Sequence, residues 1–242
     1  MSVIIAAHVR EGIVIASDTR TTVRDGNGNT MYKDDAIKIV PFPNRMAVAH
    51  CGDASLTKSL TVNEFLYRCR SRFGKGCRVF DLPTKLFYEY QKLNINADVT
   101  FYVAGYGYPG MNACIYCIST KKQTIELSWS DFSYGASFSG MWAIADAMMK
   151  DINYKNLSLQ GCEHIVSESV KSTILSFQYQ NPQSVGGHCD MYVISADGAR
   201  IGWVKESGLE KDVAAPDDAY ERLMAEKVDR LMERTTKNDK EN

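Results

Sequence analysis

Four residues in the first quarter of the chain could together carry out nucleophilic acyl transfer: Ser2, Asp18, Lys38 and Gly52. Removal of Met1 ahead of a small serine leaves Ser2 with a free α-amine beside its own hydroxyl. Such an amine titrates at about 7.7–8.0, so near neutral pH it can accept the hydroxyl proton. That is the N-terminal Ser/Thr form of an activated nucleophile. The chemistry then needs a cation to disfavour the ammonium form of the amine, a carboxylate to hold that cation, and backbone N–H donors for the oxyanion. Lys38 lies between Ile37 and Ile39, and a lysine buried there requires a carboxylate partner. Asp18 closes a strand that pairs back on the segment carrying Ser2. Gly52 ends a strand at a turn, where an N–H can face a cleft with no Cβ in the way.

Taken singly, each residue has a plain structural reading. Ser2 is then an exposed terminus, Asp18 a turn cap, and Lys38 a solvent-facing residue of an edge strand. Their joint occurrence is what favours chemistry.

The elements that position them follow from hydrophobic pattern. Residues 2–9 and 13–17 read as a hairpin. Residues 36–40 read as a short strand stopped by Pro41 and Pro43, and 46–50 as another that ends at Cys51-Gly52-Asp53. Asp25–Asn29 reads as a loop. Helical spacing covers 54–70 and 83–93. Strands follow at 99–104, 113–118 and 124–127, helices at 139–151 and 162–178, and a last hairpin at 190–194 and 201–204. The expected fold is α+β, a four-layer αββα sandwich with two antiparallel sheets between helix layers. Residues 2–216 form its single domain. Residues 217–242 form a charged C-terminal helix and tail.

The 242 residues suffice for one sizeable core. A net charge of −1 gives no basic field for nucleic acid. No apolar run reaches the roughly 18 residues of a membrane span, and no secretory leader pattern precedes the first strand. A cytoplasmic location without nucleic-acid or membrane partners is expected. The seven cysteines are odd in number and scattered, as for reduced thiols. Cys114 and Cys117 have C-x-x-C spacing, but on a strand their side chains diverge to opposite faces. No cofactor or metal site is expected.

The combination resembles the proteasome β-subunit family of N-terminal nucleophile hydrolases. The matching residues are Ser2-Val-Ile-Ile-Ala-Ala, Gly12 to Arg20, Ala36-Ile-Lys38-Ile, Ala49-His-Cys-Gly52-Asp, Ser184-Val-Gly-Gly187, Asp190 to Ile194 and Asp197-Gly198. The resemblance implies the αββα fold, with Ser2 in the nucleophile position that is threonine in most members. It implies that Asp18 holds Lys38, that Lys38 tunes the Ser2 amine, that Arg20 supports the strand end, and that the Gly52 N–H serves the oxyanion. Thr22, His50 and Ala54 take substrate-lining positions. Two positions depart from the pattern. Where the family carries a supporting serine the chain has Ala136, leaving Ser137 or Ser139 to replace it. The aspartate expected upstream of the late glycine pair is absent from Asn181-Pro-Gln-Ser-Val185. Asp34 and Asp35 are rival ion-pair partners near Lys38. With only Met1 before Ser2, the chain is most like the bacterial proteasome-like peptidases.

The resemblance implies an endopeptidase acting on peptides or unfolded protein, assembled from identical subunits in a ring or spiral, with an ATP-dependent unfoldase as a candidate partner. A catalytically inactive assembly subunit and a small-molecule amide hydrolase are the alternatives.

Overall fold

A computed structural model describes residues 2–24, 30–108, 111–180 and 185–205. In chain order the strands and helices are β1 (Val3–Val9), β2 (Gly12–Asp18), β3 (Thr21–Arg24), β4 (Thr30–Lys33), β5 (Ile39–Phe42), β6 (Met46–Gly52), β7 (Ser55–Thr57), β8 (Leu60–Thr61), α1 (Val62–Phe73), α2 (Leu82–Lys92), β9 (Val99–Tyr108), β10 (Met111–Ser119), β11 (Thr124–Ser130), β12 (Gly135–Gly140), α3 (Ala143–Met149), α4 (Leu159–Gln180), β13 (Cys189–Ser195) and β14 (Ile201–Lys205). They belong to one compact unit, residues 1–210. The loop expected at 25–29, the departure at 181–184 and the helix expected from 217 lie outside the described residues.

Two five-stranded sheets carry the fold, in the orders β12-β1-β2-β13-β14 and β11-β10-β9-β6-β5. Their neighbouring strands pair antiparallel. The first two strands are buried along their length and mostly apolar, because both of their faces are covered. From β1 and β2, Val3, Ile5, Val14 and Ala16 join a cluster with Met149 of α3 and Val166 and Val170 of α4. The alternate residues Ile4, Ala6, Ile13 and Ile15 meet Ala47, Ala49, Tyr102 and Ile115 of the other sheet. On that sheet's remaining face, Val48 and Phe101 pack with Leu66 of α1 and Leu86 of α2. Cys114 and Cys117 fall into different clusters, as strand alternation requires.

Three sequence expectations are corrected. Pro41 does not stop its strand but sits within β5, opposite Ala47. β5 is an edge strand, so the missing N–H costs no ladder bond. Lys38 therefore precedes the strand instead of lying inside it. The helix expected from residue 54 begins only at Val62, after the β7–β8 hairpin. Thr61 caps it: its hydroxyl accepts from the Glu64 N–H at 3.2 Å, while the Glu64 carboxylate accepts from the Thr61 N–H at 2.8 Å. Residues 135–140, read as loop and helix start, form strand β12 on the open side of β1. Backbone pairing with β1 overrides their weak local pattern. Among the described residues no helix is long and apolar enough to cross a membrane.

Candidate active site

Antiparallel pairing of β1 with β2 sets Ile4 opposite Ser17, which brings the end of β2 beside the residues just ahead of β1. Asp18 is fully buried there, and four donors converge on its carboxylate. Oδ1 accepts from the Val3 N–H at 3.0 Å and from Lys38 Nζ at 2.7 Å. Oδ2 accepts from the N–H groups of Gly186 at 3.2 Å and Arg20 at 3.3 Å. Lys38 also donates to Ser2 Oγ at 2.9 Å. Both Lys38 (4% exposed) and Ser2 (6%) are nearly closed off from solvent. Burial pushes the Lys38 amine below the usual lysine range, and Asp18 opposes that shift. The rival carboxylate Asp34 turns elsewhere. It accepts from Arg20 Nε and Nη2, each at 2.6 Å, and this forked pair holds the Asp34 carboxyl below its ordinary value.

These groups open onto a cleft of about 210 Å³, room for one side chain. Ser2, Arg20, Thr22, Lys38, His50, Gly52 and Ala54 line it. Thr21, Cys51 and Asp53, not singled out in the sequence, line it too. Gly52 has φ +107°, and a Cβ there would lie 2.0 Å from the Asp98 carbonyl oxygen. Only glycine fits. The turn is locked by Asp53, whose N–H donates to the Asp98 carbonyl while its Oδ2 accepts from the Asp98 N–H, both at 2.9 Å.

His50 is drawn inward. Its Nε2 lies 3.0 Å from Asn63 Oδ1, and burial pushes its pKa down to about 4, so the imidazole is neutral near pH 7. Cys51 has its thiol pushed up to about 12, again by burial, which keeps it protonated beside Lys38.

Ser137 does not join the site. It stands opposite Ala6, and its hydroxyl accepts from the Trp129 indole at 2.9 Å. Ala136 packs with the α3–α4 cluster, on the other face of β12. Ser139 is the serine brought close. It stands opposite Ile4 and bonds with Tyr102 Oη at 3.1 Å and with the Cys51 thiol. Gly140 follows at φ +78°, so close that a Cβ would lie 1.7 Å from the Ser2 carbonyl oxygen. That oxygen accepts from the Met141 N–H at 2.8 Å. The sequence signal for this register was the pair Ser139-Gly140, which is legible only once β12 is known to be a strand.

No protein-family model matches the sequence, and comparison with curated protein sequences finds no match. Among solved structures the chain is similar to Anbu from Hyphomicrobium sp. strain MC1, with a TM-score of 0.65 and 15% identity over 97% of each chain. It is similar also to a Gly-1 mutant of that protein, with a TM-score of 0.63 and 14% identity over 98% of this chain and 97% of the other. These likenesses show a shared fold and nothing of activity. At this identity the activity rests on the chemistry of the site.

Proposed function

We propose that the chain is a proteasome-like peptidase of the N-terminal nucleophile type, its two sheets and flanking helices forming an αββα sandwich. Removal of Met1 exposes Ser2, and the freed α-amine is the general base. The observation that carries this reading is the buried bridge from Asp18 through Lys38 Nζ to Ser2 Oγ, at 2.7 and 2.9 Å, with Lys38 and Ser2 lining a cleft. A lysine so nearly buried costs free energy, and here its ammonium is directed at the hydroxyl of a residue that lines the cleft.

In the proposed reaction the Ser2 amine takes the hydroxyl proton as Oγ bonds to the carbonyl carbon of a peptide. The Gly52 N–H donates to the oxyanion. Collapse breaks the C–N bond, and the amine passes its proton to the leaving nitrogen. Water, deprotonated by the same amine, then cleaves the Ser2 ester. The positive field of Lys38 disfavours the ammonium form of that amine and stabilises the developing alkoxide. The proposed substrate is an extended peptide, with one side chain seated among Thr22, His50 and Ala54. Assembly of identical subunits would limit access to such segments.

The test is the intact mass of the untagged protein before and after exposure to peptide vinyl sulfone and β-lactone probes. The expected result is a mass lacking Met1, plus one adduct that maps to Ser2 and is lost in Lys38→Met. Retained Met1, or a free Ser2 that no probe labels, makes the chain an assembly subunit without turnover.

A further inference from the structure

Lys38 lies just before β5, outside the strand, yet the proposed chemistry needs its Nζ held between two oxygens. Thr19 provides part of the fixation. Its carbonyl accepts from the Ala36 N–H at 2.9 Å, and its hydroxyl donates to the Asp34 carbonyl at 2.7 Å. The next turn of chain is tied from the other side. The Lys38 carbonyl accepts from the His50 N–H at 2.9 Å. The Ile37 carbonyl accepts from Asn63 Nδ2 at 2.7 Å. Asn63 Oδ1 meets His50 Nε2 at 3.0 Å and closes a ring of three bonds. Asn63 is half-buried in the first turn of α1, between the capping-box residues Thr61 and Glu64.

We infer that Asn63 is a positioning residue for Lys38: its amide grips the Ile37 carbonyl and the His50 ring together, and so sets where the Lys38 side chain starts. The inference rests on the proposed peptidase reading for its purpose, but not for its geometry. Asn63 touches neither Ser2 nor substrate. An amide is the side chain that fits, because it donates to a carbonyl with one end while its other end meets the imidazole. A hydrophobic residue of similar size would leave the Ile37 carbonyl and the His50 ring without that partner. The helix thereby couples to the site through a half-buried polar ring, whose members stand or fall together.

The test reads Lys38 directly. Lysine side chains are labelled with 13C and 15N, the Lys38 signal is assigned by its loss in Lys38→Met, and its titration is followed by NMR. The charged and titratable groups acting on Lys38 are Asp18, Cys51, Asp34 and His50, joined in the proposed reading by the Ser2 α-amine. None of them is altered by Asn63→Ala or Asn63→Leu. In both variants the lysine gains access to water, and its titration rises toward the ordinary lysine range. Labelling of Ser2 slows by roughly 10- to 100-fold. Thr61→Ala, which weakens the same helix end without touching the ring, leaves the titration at the wild-type value. Unchanged titration in the two Asn63 variants, or an equal shift in Thr61→Ala, overturns the inference. A Lys38 shift in a protein whose Ser2 is never labelled would retain Asn63 as the positioner and reject the peptidase reading instead.

Discussion

Asp18→Ala is expected to destabilise the protein more than Lys38→Met, although each removes half of the same buried pair. Breaking a buried ion pair from one side costs about 3–5 kcal/mol when the remaining charge has no other partner. After Lys38→Met the Asp18 carboxylate keeps the N–H groups of Val3, Arg20 and Gly186. Such donors sustain a buried carboxylate, so the cost falls below that range, at about 2–3 kcal/mol. Asp18→Ala takes the acceptor from all four donors. Each buried N–H left unmade costs about 1–3 kcal/mol, and the bonds of Val3 and Gly186 are both buried. Lys38 then retains only the Ser2 hydroxyl and sheds its proton. A loss of about 4–6 kcal/mol follows, a large share of a typical domain's 5–15 kcal/mol. Urea unfolding at pH 7, read by far-UV circular dichroism and tryptophan fluorescence, gives both values from midpoint and slope. Asp18→Asn retains one acceptor oxygen and should fall between them. If Lys38→Met costs as much as Asp18→Ala, the carboxylate is not held mainly by the backbone, and the argument fails.

Two further outcomes follow from the same geometry. Asp53→Ala frees the turn that aims the Gly52 N–H and slows Ser2 labelling by roughly tenfold, whereas Asp53→Asn keeps an acceptor for the Asp98 N–H and restores the rate; equal rates in wild type and Asp53→Ala would refute this. His50, pushed down to about 4 by burial, is neutral when folded but charged when unfolded below its ordinary 6.5. The unfolded chain then binds the extra proton, so stability is full above pH 6.5 and is lost as pH falls toward 4, by roughly 3 kcal/mol. His50→Gln flattens that limb in urea titrations taken every half pH unit, and an unchanged limb would contradict the burial argument.

Sequence alone determined the hairpin that frames the site. Val3 to Val9 and Gly12 to Asp18 are mostly apolar stretches with one tight turn between them, which pairs them as a hairpin. That pairing carries Asp18 to Ser2, and a lysine among isoleucines had few partners to choose from. Gly52 was legible as well, because a strand ending in glycine announces a turn that a Cβ would block. Tertiary structure alone decided the rest. Asp34 or Asp18 could each have held Lys38, and only the fold gives Asp34 to Arg20 and Asp18 to the lysine. Residues 135–140 have no strong strand pattern of their own and become β12 by pairing with β1. That pairing sets Ser139 against Tyr102 and Cys51 and Ser137 against Trp129, and packs Ala136 with the α3–α4 cluster. Asn63 carries no signal in the sequence, since its three-bond ring joins a helix, a strand and a loop that are distant along the chain. Local pattern reports which faces are buried; contacts between elements depend on where the sheets and helices meet, and no short window of sequence contains that.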